Sequence, residues 1–70
     1  MTTVLTNPNR RRVALMVIRS RLEIEIENPH FAGKETVRAA KHWLNIPASI
    51  HRSRTQLLPL VEKALEEYEK

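Results

Sequence analysis

Apolar residues recur along this chain in three runs of helical period, and the runs are set apart by prolines. Asn7-Pro8 reads as the start of the first, because Asn caps free backbone N–H groups and proline at the first helical position forfeits no helical hydrogen bond. Asn28-Pro29 reads as its stop, since proline disfavours helical geometry in the residue before it. The pattern predicts a helix over residues 8–27, preceded by a loose arm over residues 1–6, where no periodicity shows. At about 100° per residue, Leu15, Ile18, Leu22 and Ile26 share one face of that helix. Val13, Val17 and Ile24 lie nearly opposite, with Ser20 between them. A small domain covers one such stripe internally, so the second asks for a partner or a homodimer seam. The same residues also suit an N-terminal β-hairpin. Residues 13–18, followed by the alternation Leu22, Ile24, Ile26, can be two strands, although Arg19-Ser20-Arg21 lacks the Gly or Asn of favoured hairpin turns.

The second run predicts a helix over residues 34–44, with Val37, Ala40 and Leu44 inward, Trp43 at the flank, and Arg38 and His42 outward. Asn45-Ile46-Pro47 ends it: Asn tolerates left-handed geometry, and Pro47 extends Ile46. Ser49 then caps a third helix whose inward positions are Ile50, Leu57, Val61, Ala64 or Leu65, and Tyr68. Pro59 interrupts its register, which predicts a kink or a fresh start near Leu58. The expected fold class is all-α, a small domain of three or four helices occupying residues 1–70, with the hairpin followed by helices as the alternative.

Seventy residues allow one core, and a chain this short buries only about 60% of the surface its unfolded form exposes. Without cysteine there is neither a disulfide nor a thiolate metal site to reinforce it, and oligomerisation is the remaining device. A homodimer is therefore expected. The longest strictly apolar run is residues 13–18, far short of the ~20 a membrane-spanning helix needs, and it is followed at once by Arg19 and Arg21 rather than by a cleavage site. The default expectation is a cytoplasmic protein.

The net charge of +4 is unevenly placed. Residues 1–21 carry five Arg and no acid; 22–37 carry four Glu and one Lys; 38–54 carry three Arg and one Lys; 55–70 carry four Glu and two Lys. Alternating blocks mean basic patches rather than a uniformly basic surface.

Glu35 to Leu58 reads as helix, four-residue turn, helix, and so resembles a helix-turn-helix over about a third of the chain. Asn45 stands where the usual turn glycine falls, and the gap from Ile46 to Ile50 is one residue shorter than the familiar pattern. The resemblance implies that the later helix presents His51, Arg52, Thr55 and Gln56 to the major groove, where all four side chains can hydrogen-bond bases or phosphates. Arg10, Arg11 and Arg12 form a second constellation. They sit at the positive end of the first helix dipole, where cations cost stability, but their planar guanidinium groups suit phosphate. A solvated charge cluster is the plain alternative. Arg21 with Glu25, and Arg19 with Glu23, have the four-residue spacing of intrahelical pairs. The acidic tail, Glu62, Glu66, Glu67 and Glu69, reads as a solvated surface.

Catalytic chemistry finds little material. The chain has no Asp and no Cys, and Ser49, His51 and Ser53 lie too close in one segment for a triad. His30, His42 and His51 lack zinc spacing, so neither metal nor cofactor is expected. Only Phe31, Trp43 and Tyr68 are aromatic, too few for the stacking platforms of a single-strand binder. Two partners remain: duplex DNA, or another protein held on the stripe of Val13, Val17 and Ile24. A membrane-surface helix is a weaker third reading, because the apolar residues surround the helix instead of forming one face.

Overall fold

The computed structural model describes residues 8–69, so the expected arm and the Asn7 cap lie outside the described residues. Three helices form: α1 (Pro8–Glu27), α2 (Lys34–Leu44) and α3 (Arg54–Glu66), with single 3-10 turns at Pro29–Phe31 and Glu67–Glu69. No strand occurs among the described residues, and the hairpin alternative is thereby removed. After Pro8, α1 contains neither Gly nor Pro, so its hydrogen-bond ladder meets no interruption at Arg19-Ser20-Arg21. The four-residue and three-residue spacing of Leu15, Ile18 and Leu22 then aligns these side chains on one buried face.

That face packs on Ala40 of α2 and on Leu57, Val61, Ala64 and Leu65 of α3, which together make the core. Val37, Trp43, Leu44, Ile46 and Tyr68 pack around it, half-buried. Thr36 is also buried, a polar position that hydrophobic periodicity does not reveal. Ile26, expected inward, is half-buried, and Ile50 is exposed.

Contacts at the helix ends fix the topology. The start of α1 touches the end of α2 and the turn after α3, through Arg11 with Trp43 and Tyr68. The end of α1 touches the starts of both other helices, through Glu25 with Thr36 and Arg54. Both α2 and α3 therefore run antiparallel to α1 and parallel to each other. A four-residue turn joins antiparallel or steeply crossed neighbours; parallel helices need a return strand of chain. Residues 45–53 provide it, because α2 ends at Leu44 and α3 starts at Arg54. An eleven-residue helix is about 16 Å long, and nine extended residues reach about 30 Å, so the return is unstrained.

The expected boundaries of the third helix are corrected accordingly. Ser49 does not cap it. Ser53 does, within a full capping box: the Gln56 backbone N–H donates to Ser53 Oγ at 3.3 Å, and the Ser53 backbone N–H donates to Gln56 Oε1 at 2.9 Å. Pro59 neither ends nor restarts the helix, which continues through it to Glu66. In the second turn of α3, its missing N–H leaves only the Thr55 carbonyl without its usual donor, on an exposed residue open to water. The end of α2 is as expected: Asn45 adopts φ 60°, ψ 38°, and the Ile46 N–H donates to the Lys41 carbonyl at 2.9 Å, a Schellman motif with Asn in the left-handed position.

Candidate nucleic-acid interface

The returning connection lies alongside α2 and encloses with it an open groove of about 840 Å³. Its wall on α2 carries Lys34, Arg38, Lys41 and His42; His51 and Arg54 close it from the other side, and no acidic residue lines it. The spacing explains the convergence. Positions 34, 38 and 41 recur at four and three residues, so they stand in one row on α2. Val37 and Ile46 form its apolar floor.

Two of these side chains also build the walls. Lys41 Nζ donates to the Ala48 carbonyl at 3.3 Å and holds the connection against α2. Arg54 donates from Nε to Glu25 Oε1 at 2.8 Å and from Nη2 to the Gly33 carbonyl. Lys34, Arg38, His42 and His51 are exposed. His42 meets Trp43 edge to face, with ring centroids 5.1 Å apart, so its ring orientation is constrained by the indole.

Behind Arg54, Glu25 is buried and accepts from Thr36 Oγ1 at 2.6 Å as well as from Arg54. Burial pushes its carboxyl upward, but the hydrogen bonds from Thr36 and Arg54, with the charges of Arg54 and Arg21, outweigh that and hold its pKa below the ordinary value. The expected intrahelical ion pairs, Arg21 with Glu25 and Arg19 with Glu23, do not form among the described residues; Glu25 turns inward instead.

The residues singled out in the sequence are dispersed. His51 lines the groove, whereas Arg52 lies outside it and donates to the His51 carbonyl at 2.9 Å. Gln56 is engaged in the capping box, and Thr55 Oγ1 lies 3.0 Å from Ser53 Oγ. Arg11 is half-buried: its Nε donates to the Trp43 carbonyl at 3.0 Å and its Nη1 to the Tyr68 hydroxyl at 2.8 Å. A cation at the carbonyl end of α2 is favourable, which accounts for one of the three clustered arginines without an external phosphate. Arg10 and Arg12 are exposed, and so are Val13, Val17 and Ile24. Of the polar residues lining the groove the sequence alone singles out only His51 as a binding residue; it places Arg38 and His42 on the outer face of α2 without a role, and it misses Lys34, Lys41 and Arg54. The row at 34, 38 and 41 was the available signal for the two lysines.

No group of three or more His, Cys, Asp or Glu side chains suited to a metal occurs among the described residues, and none of their helices is long and apolar enough to cross a membrane. The chain matches no protein-family model, no curated protein and no solved structure.

Proposed function

We propose that the protein is a non-enzymatic, cytoplasmic DNA-binding module that grips the phosphate backbone in the groove between α2 and the connection. The observation that carries this reading is the convergence of Lys34, Arg38, Lys41, His42 and His51 on one surface with no acid among them. Lys34, Arg38 and Lys41, with no carboxylate among them, raise the local potential and attract polyanions, whose binding is driven by release of condensed counterions. The first turn of α3 is less suited to the groove-reading part that its sequence implies. Gln56 is occupied, and farther along the helix its exposed side chains include Glu62 and Glu66, which repel phosphate. The module therefore binds by backbone contact, with little discrimination among sequences.

The test is duplex binding across a salt series. About three or four phosphate contacts give a slope of log affinity against log salt near −3, and Lys34→Ala with Arg38→Ala together remove roughly two contacts. The doubly substituted protein is expected to bind all duplexes more weakly and with a shallower slope. Binding that is insensitive to salt, or unchanged in the double variant, rejects the reading.

A second reading rests on a different observation. On α1, Val13 is 51% exposed, Val17 53%, Ile24 53% and Met16 41%, a row of apolar side chains on the face turned away from the core. Such a row suits contact with another protein chain.

A further inference from the structure

We propose that the outer face of α1 is the seam of an antiparallel homodimer. This commits the second reading above to one occupant, another copy of the same chain, and is independent of DNA binding.

The domain is two helix layers deep: α1 forms one, α2 and α3 the other, and the outer face of α1 has no described element across it. Val13, Val17, Ser20 and Ile24 fall within an arc of about 60° on that face, at the four-three-four spacing of a helix–helix seam. The row is nearly symmetric along its length. Reversed and laid on itself about the point between Ile18 and Arg19, it sets Val13 against Ile24 and Val17 against Ser20. An isologous interface requires this property, since one patch must complement itself.

Charge decides the direction. The first turns of α1 carry Arg10, Arg11 and Arg12, its middle carries Arg19 and Arg21, and its last turns carry Glu23, Glu25 and Glu27. Arg12, Glu23 and Glu27 lie on the same flank of the apolar row and all three are exposed. In an antiparallel pair that flank meets itself, and Arg12 of one copy comes level with residue 25 of the other, between Glu23 and Glu27. The contact occurs twice by symmetry. A parallel pair would instead stack the Arg10 to Arg12 clusters of both copies at one end, where like charges repel. None of the groove residues belongs to α1, so both grooves of the dimer stay open.

Sedimentation equilibrium of the full chain is expected to give twice the 8.2 kDa monomer mass. Val17→Glu places like charges in the symmetric seam and should weaken self-association by about a hundredfold or more while leaving the helical circular dichroism unchanged, because Val17 is exposed in the single chain. The chain has no cysteine, so orientation can be read by oxidising a mixture of Val13→Cys and Ile24→Cys proteins. Cross-links between the two variants, in excess of those within either alone, are the expected result. Arg12→Glu should weaken the dimer, and mixing it with a Glu23→Arg, Glu27→Arg chain should restore association. A single-chain mass at concentrations up to about 1 mM, no change on Val17→Glu, or cross-links predominantly within the Val13→Cys protein would each overturn the proposal.

Discussion

The two ends of the bundle are closed by arginines, yet the two closures differ in kind. At one end Arg54 meets a buried carboxylate, Glu25, which Thr36 also binds, and a formal ion pair is sealed between α1, α2 and α3. At the other end Arg11 meets only neutral acceptors, the Trp43 carbonyl and the Tyr68 hydroxyl, and its guanidinium carbon lies 5.8 Å from the centre of the Tyr68 ring. Removing a partner from the first leaves a charge stranded in a poorly solvated site. Removing Arg11 leaves a carbonyl and a phenol that water can reach. An arginine in a basic run is thus as readily a brace for the fold as a contact for a ligand.

The largest effect is expected at the Glu25 end. Arg54→Met should destabilise the domain by roughly 3 kcal/mol, toward the lower limit for breaking a buried pair because Arg54 keeps 24% of its side-chain surface exposed. Chemical denaturation at neutral pH measures this, and a loss no greater than that of an exposed arginine would show that the pair is not sealed from water.

The same end should confer a pH dependence that the other lacks. The pKa of Glu25 is lowered in the folded state, so its stabilising contribution is fully present above its ordinary value of 4.5 and is lost as pH falls through the lower folded value. The stability gap between the native protein and Glu25→Gln should therefore be constant at neutral pH and shrink below about pH 4.5. A gap that persists into strong acid would show that the charge on Glu25 contributes nothing.

At the Arg11 end the expected loss is smaller. Arg11→Met should cost about 1–1.5 kcal/mol, the worth of one or two hydrogen bonds to neutral acceptors with the alkyl stem retained. Its effect on duplex affinity, measured with the folded variant, should be slight beside that of Arg38→Ala. A larger loss of affinity from Arg11 would return the N-terminal cluster to the binding surface.

The smallest change is a gain. Gly33 caps α2 without a side-chain hydrogen bond, and a Cβ added there meets nothing within 4 Å. Gly33→Ser should raise the melting free energy by only about 0.3 kcal/mol, since glycine is already a tolerable cap.

Periodicity made α1 and α2 legible, and the stop of α1 before Pro29 and the left-handed Asn45 at the stop of α2 were legible because local chemistry sets both. The start of α3 was equally local, written in the capping box Ser53 to Gln56, but Ser49 offered a nearer cap and displaced it. The return of the chain over residues 45–53 was not legible, since it follows from which ends of α1 the later helices meet. The inward turn of Glu25 was hidden for the same reason. Its partners Thr36 and Arg54 are 11 and 29 residues away in sequence. The groove inherits that dependence: the row on α2 can be read from spacing, whereas its opposite wall exists only once the connection has folded back.

The hydrogen bond between Arg11 and Tyr68 also sets the beginning of α1 beside the turn that follows α3. A short peptide bridge from Glu69 to Pro8, with the chain opened within residues 45–53, would give a circular permutant ordered α3, α1, α2. Every sequential helix pair in that polymer is antiparallel, so the long return is no longer needed for closure. Such a molecule would separate two roles that the native connectivity combines in one segment: carrying the chain back along α2, and walling the basic groove.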